Sequence, residues 1–260
     1  MITSLHNPQV QAIRKLLTQA RVRRQQQEFV IEGVRLAEEA LGSGWPARIV
    51  FYTGQLDERG KAAVDGFSAQ GVAVEQLSDT VMKSISQTQN PQGILAVLAQ
   101  KTLPIPSSPD FLLILDGLRD PGNLGTVLRT AAAAATQAVL LAPGCADPWS
   151  PKVVRSAMGA HFHLPLITQS WQEIRWTLKS LSGNLTVYLA DAVAGNPHTR
   201  VDFRSPLGLI VGGEAAGAGR ESTMLADERV HIHMPGGSES LNAAIATGIL
   251  LFEVVRQRAG

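Results

Sequence analysis

A single cysteine, Cys145, stands in a chain of 260 residues. That excludes an intramolecular disulfide framework and any zinc site built from several thiolates. Long apolar runs are missing as well. The longest, Ala243 to Phe252, is interrupted by Thr247 and Gly248 and followed by Glu253, well short of the ~18 residues a membrane span needs. Met1 to His6 lack the basic-then-apolar order of a secretory leader. No charge predominates either: 23 basic side chains stand against 22 acidic ones, for a net charge of +1. Together these absences predict a cytoplasmic protein that does not rely on a basic total to hold its partners.

Hydrophobic residues make up 45% of the chain and charged ones 17%, enough to bury a core and to exclude disorder throughout. The charge balance holds in each half: residues 1–100 carry 10 basic and 9 acidic side chains, residues 101–260 carry 13 of each. Locally it fails. Arg14, Lys15, Arg21, Arg23 and Arg24 fall within eleven residues that hold no acid. Such a stretch reads either as a solvated helix face or as a set of phosphate contacts.

Three prolines between Lys101 and Asp110 suit neither helix nor inner strand. They mark residues 101–110 as a linker between a domain over 1–100 and another over 111–260. Within the first, Asn7 and Pro8 open a helix with Val10, Ile13, Leu16 and Leu17 on one face. Strand and helix signals then alternate to a last apolar strand near Gly93–Leu98, which predicts a small α/β domain. The second half alternates more regularly. Strands are expected at Phe111–Leu115, Ala138–Leu141, Phe162–Ile167, Thr186–Ala190, Leu207–Val211 and Val230–His233. Helices fit at Leu124–Ala135, Pro151–Met158, Trp171–Leu181 and Leu241–Arg258. Such a pattern predicts a mainly parallel sheet covered on both faces, with ligands beyond the C-terminal ends of its strands.

Three loops at those ends carry chemistry. After the first strand, Asn123 reads as the N-cap of a helix bearing Gly125 and Arg129. After the fifth, four glycines lie between Gly212 and Gly219 around Glu214, letting backbone approach a ligand closely. This is neither a P-loop nor a dinucleotide fingerprint, since Gly-Lys-Ser/Thr and the third spaced glycine are missing. After the sixth, Ile232-His233-Met234 leads to Ser240-Leu241-Asn242 and the last helix, with Ser240 read as its cap. That helix is apolar almost all round, so it must be covered on more than one side.

In order and interval these segments resemble the three motifs of the SpoU (TrmH-type) branch of the SPOUT RNA methyltransferases. The first is matched by Asn123, Gly125 and Arg129. The second is matched by Gly212, Gly213 and Glu214, with Ala215 in place of a glycine. The third is matched by Ile232, Met234, Ser240, Leu241 and Asn242, with His233 in place of a proline. Residues 1 to about 100 are similar to the family's ribosomal-protein-like RNA-binding domain.

The resemblance implies an α/β domain with a deep trefoil knot, S-adenosylmethionine as cofactor, and methyl transfer to a ribose 2′-hydroxyl of structured RNA, 23S ribosomal RNA ahead of transfer RNA. It implies that Gly212, Ile232 and Leu241 hold the cofactor and that Arg129, Asn123, Glu214, Ser240 and Asn242 serve catalysis, with no metal. Arg129 acts there either as a locally deprotonated base or as a cation stabilising the alkoxide. It further implies a homodimer through the C-terminal domain, and it turns Arg14, Arg21, Arg23 and Arg24 into RNA contacts. Housekeeping modification and self-resistance to an antibiotic are both compatible with it.

Other readings rest on less. A non-catalytic RNA-binding or ribosome-assembly protein would not need Asn123, Arg129, Glu214, Ser240 and Asn242 together. A nucleotide-dependent oxidoreductase lacks its fingerprint. His161 with His163 and His231 with His233 are spaced to share a strand face, but no carboxylate cluster joins them. Cys145 reads as a small packed thiol ahead of a nucleophile. Trp149 follows a strand on the catalytic side and is placed to stack on RNA.

Overall fold

The computed structural model describes residues 1–181, 185–213 and 217–259. In chain order come α1 (Pro8–Thr18), α2 (Ala20–Gln26), β1 (Glu28–Glu32), α3 (Val34–Gly42), β2 (Ala47–Tyr52), α4 (Glu58–Ala69), β3 (Ala73–Gln76), α5 (Asp79–Ile85) and β4 (Ile94–Ala99). Then follow β5 (Phe111–Asp116), α6 (Pro121–Ala133), β6 (Ala138–Leu141), α7 (Pro151–Ala157), β7 (Leu166–Thr168), α8 (Trp171–Ser180) and β8 (Thr186–Asp191). The chain closes with β9 (Asn196–Pro197), β10 (Leu207–Gly212), α9 (Arg220–Leu225), β11 (Glu228–His231) and α10 (Ala243–Arg258). Residues 102–110 carry no helix or strand. Among the described residues no helix is long and apolar enough to cross a membrane.

The chain forms two compact units: Met1–Lys101 with Trp149–Phe162, and Thr102–Pro148 with His163–Gly260. The first is built on a four-stranded sheet of order β1-β4-β2-β3. Its inner strand β4 pairs antiparallel with both β1 and β2, which explains its continuous apolar run. Asn7 caps α1, its side chain accepting from Gln9 N at 2.8 Å, with Pro8 in the first turn. The buried face of α1 is Val10, Ile13, Leu16 and Leu17, packed with Val30, Phe51 and Leu77. The returning segment brings aromatic rings to this core. Trp149 lies 4.8 Å from Phe29 and Phe162 lies 5.3 Å from Trp45, centroid to centroid.

The second unit is a seven-stranded sheet of order β7-β6-β5-β10-β8-β11-β9, parallel at every pairing. Phe111, Leu112, Leu113, Ile114 and Leu115 of β5 are all buried, as expected of an inner strand covered on both faces. The strand expected at Phe162–Ile167 is corrected: Ala160–Phe162 is a short 3₁₀ turn of the first unit, and β7 begins only at Leu166. Pro165 lacks an N–H for the ladder, which suits it to a strand's entrance; its carbonyl accepts from Val139 N at 2.8 Å. The last strand also ends early, at His231.

Candidate active site

β5 and β10 run side by side, with Asp116 opposite Gly212 at their C-terminal ends. The glycine turn that follows β10 is bound to this point. Asp116 accepts from Gly219 N and from Ser222 Oγ, both at 2.7 Å, and its carbonyl accepts from Gly213 N at 2.8 Å. Gly217 N donates to Gly213 O at 3.1 Å. A Cβ on Gly212 would lie 2.6 Å from the carbonyl of Gly217, and one on Gly213 would lie 2.5 Å from Gly117 O. Both positions therefore require glycine, and both line the cavity beside the turn.

That cavity is walled by Gly212, Ile232, Ser240 and Leu241, with Asp191 and Leu250 beside them. Three distant segments converge on it. Asp191 ends β8 and accepts from Ala194 N at 2.9 Å and Val193 N at 3.0 Å. These backbone N–H groups, with Arg229 3.4 Å away, hold its carboxyl below the usual carboxylate range. The wall thus combines backbone donors and acceptors, apolar side chains and one charged carboxylate.

Beside the cavity, α10 packs on α6. Both helix starts differ from the sequence expectation. Asp120 caps α6, accepting from Asn123 N at 2.8 Å, with Pro121 at the first helical position. Asn123 is therefore inside the first turn, and its side chain is available for another role: Oδ1 accepts from Asn242 Nδ2 at 3.2 Å. Asn242, not Ser240, caps α10, accepting from Ala244 N and Ile245 N, which leaves Ser240 on the cavity wall. Arg129 lies six residues beyond Asn123, about 9 Å further along the axis. It is exposed and makes no hydrogen bond or ion pair with the described residues. Glu214 lies outside the described residues.

The basic stretch divides. Arg21 and Arg24 are exposed, and Arg14 donates to Ser84 Oγ at 3.1 Å. Arg23 is corrected as an RNA contact: it is only 4% exposed, and its guanidinium donates to Leu16 O at 2.5 Å near the end of α1. Trp149 is likewise packed against Phe29 and His161 instead of standing free for RNA. Burial pushes the Cys145 thiol up, and its Sγ donates to Leu115 O at 3.2 Å, so it lacks the character of a nucleophile. Asp116 and Ser222 escape sequence reasoning. The one local signal is a carboxylate ending an otherwise apolar strand.

Residues 110–252 match the SpoU rRNA methylase family, and residues 7–96 match the MRM3-like substrate binding domain. An uncharacterised tRNA/rRNA methyltransferase of Synechocystis sp. is 35% identical, over 99% of this chain and 94% of that protein. The 23S rRNA (guanosine(2553)-2′-O)-methyltransferase RlmP of Bacillus subtilis is 32% identical, over 97% of this chain and 98% of that protein. The crystal structure of AdoMet-bound rRNA methyltransferase from Sinorhizobium meliloti superposes with a TM-score of 0.87 at 33% identity, covering 98% of this chain and 97% of that one. With its tight glycine turn, its paired asparagines and these matches along nearly its whole length, the chain belongs to the SpoU rRNA methylase family.

Proposed function

We propose that the chain transfers the methyl group of S-adenosylmethionine to a ribose 2′-hydroxyl of 23S ribosomal RNA. The convergence of Gly212, Ile232, Ser240 and Leu241 on one cavity, next to the Asn123–Asn242 pair, carries this reading. It is supported by the relative from Bacillus subtilis, named for 2′-O-methylation of 23S rRNA, and by the AdoMet-bound structure.

The cavity fits the cofactor. Gly212 lines it without a side chain, held so close to the Gly217 backbone that a Cβ would strike it, while Ile232, Leu241 and Leu250 give apolar contact. Bound there, S-adenosylmethionine supplies an electrophilic methyl carbon on a cationic sulfur. Arg129 projects from α6, and no described residue neutralises it. A guanidinium is a poor base, so its role is to hold an RNA phosphate and to counter the charge growing on the 2′-oxygen; the hydroxyl proton passes to water as the methyl–sulfur bond breaks and its electron pair stays on the sulfur. Ser240, Asn123 and Asn242 orient the ribose, and most of the rate gain comes from alignment of the reactants. Glu214 joins this set by its motif position alone.

Arg14, Arg21 and Arg24 contact RNA phosphates. A homodimer through the C-terminal domain is part of the proposal, supported by α10: Ile245, Ile249 and Phe252 are 56%, 37% and 49% exposed along one side of it. So are a knotted cofactor loop, supported by the interleaved strand order β5-β10-β8-β11, and a cytoplasmic location beside the ribosome.

Mapping 2′-O-methyl groups in rRNA from cells lacking the gene tests the proposal. One 23S site is expected to lose its methyl group and to regain it with the wild-type chain but not with Arg129→Ala. Retention of every site would overturn it.

A further inference from the structure

The first unit contains a cleft of about 290 Å³ that shares no residue with the cofactor cavity. Its size suits a small planar group. Val34 and Met82, both buried, give it apolar surface, and Asp57, Asp79, Lys83 and Gln92 give it polar edges.

The cleft is held open by fixed contacts. The Glu32 carboxylate accepts from Ser86 Oγ, from Gln87 N at 2.8 Å and from Thr88 Oγ1 at 2.7 Å, anchoring the loop that enters β4. Gln92 Oε1 accepts from Val34 N at 3.0 Å, and Thr53 N donates to Gly93 O at 2.9 Å. Gly93 has φ +78°, and a Cβ there would lie 2.5 Å from Thr53 Oγ1. Thr53 is only 4% exposed and lines the cleft, and its hydroxyl has no hydrogen-bond partner among the described residues. The oxygen itself is not sealed from solvent, so it faces the cleft free to donate to or accept from a ligand.

The free valences define the ligand. Asp57 Oδ1 accepts from Gly60 N and Asp79 Oδ2 from Gln55 Nε2, both at 2.7 Å; the second oxygen of each carboxylate is open. The Lys83 ammonium and the Gln92 amide nitrogen make no hydrogen bond with the described residues. Two carboxylates against one ammonium disfavour a phosphate. A flat ring with two neighbouring N–H donors beside a carbonyl oxygen matches, and among RNA bases that is the Watson–Crick edge of guanine.

We propose that this cleft reads an unpaired guanine of the RNA. Its N1–H and N2–H groups donate to Asp57 and Asp79, its O6 accepts from Lys83, and its ring lies against Val34 and Met82. The inference rests on the RNA reading above and concerns a base other than the methylated one, because the two cavities have no residue in common.

The test uses the full chain and two labelled hexaribonucleotides, all-uridine and uridine with one central guanosine, compared by fluorescence anisotropy. The guanosine strand is expected to bind at least tenfold tighter. Asp57→Asn, which keeps the α4 cap, and Asp79→Asn should each cut that ratio several-fold, and inosine, lacking the 2-amino group, should lie between guanosine and uridine. Equal binding of both strands to the wild-type chain would overturn the proposal, as would a preference that survives in the double variant. Circular dichroism on the same preparations confirms folding of the variants, and calorimetry with S-adenosylmethionine separates the two readings. Cofactor heat without base preference removes only the guanine site, whereas missing heat in the wild-type chain removes the methyltransferase reading.

Discussion

Asn242 Nδ2 donates to Asn123 Oδ1 at 3.2 Å, joining residues 119 positions apart. The same side chain caps α10 through its Oδ1, which accepts from Ala244 N and Ile245 N. One amide therefore starts one helix and fixes the first turn of another to it, next to the cofactor cavity. Asn242→Asp separates these tasks. The cap acceptor survives and a negative charge at a helix N-terminus is tolerated, but the donor to Asn123 is gone. Urea denaturation should show near wild-type stability, while single-turnover methyl transfer falls on the order of 10²-fold. Asn242→Ala should lose the same activity and also about 1 kcal/mol of stability. Full turnover in the Asp variant would remove the pair from the site.

Arg129 is exposed and has no partner among the described residues, so Arg129→Ala should leave stability within about 0.5 kcal/mol of wild type. Cofactor affinity by calorimetry should stay within a few-fold. Methyl transfer should drop by ~10² or more, the scale of a missing transition-state charge partner. Unchanged turnover would refute the assigned role.

Gly212→Ala places a methyl group 2.6 Å from the Gly217 carbonyl, which forces the turn apart. S-adenosylmethionine affinity should fall at least ~10-fold, since about 1.4 kcal/mol of strain suffices for that factor. Gly236→Ala meets nothing within 4 Å and serves as the matched control with unchanged binding.

Salt titrations separate the arginines of α2. Removing Arg21 and Arg24 should lower the slope of log K against log salt by about one for each phosphate no longer neutralised. Arg23→Ala should leave that slope alone and instead destabilise the chain by roughly 1–3 kcal/mol, because the Leu16 carbonyl loses its buried donor.

Glu253 gives a pH signature. The Arg256 guanidinium beside it, with Gln257, lowers its carboxyl from 4.5 to about 2. The folded chain binds this proton less readily than the unfolded one, so the stabilisation is complete above about 4.5 and is lost as pH falls from there towards 2. Gln257 in turn accepts from Phe203 N and donates to Val201 O, so this carboxylate helps anchor the end of α10. Thermal melts of Glu253→Gln against wild type should differ most at neutral pH and converge near pH 2.

The periodic parts of the chain are legible in its sequence. The apolar strands of the parallel sheet, the buried stripe of α1 and the tight glycine turn each leave a local signature. The helix starts near Asn123 and Ser240 are not, since several side chains around each start can cap and only geometry selects Asp120 and Asn242. Arg23 illustrates the same limit: an arginine among arginines looks solvated until the end of a helix turns back over it. The Asp116–Ser222 clamp joins residues 106 positions apart, and no local pattern records such a closure.

The return of Trp149–Phe162 to the first unit has a consequence for how the chain is made. A ribosome that has released only residues 1–101 has delivered Phe29 and Trp45 without the Trp149 and Phe162 rings that pack on them. The N-terminal unit therefore finishes folding only after β5, α6 and β6 of the other unit have been synthesised. A gene cut at the proline-rich segment would yield a fragment with an open aromatic seam, prone to aggregation, whereas one that splices residues 149–162 back onto it would restore the missing wall.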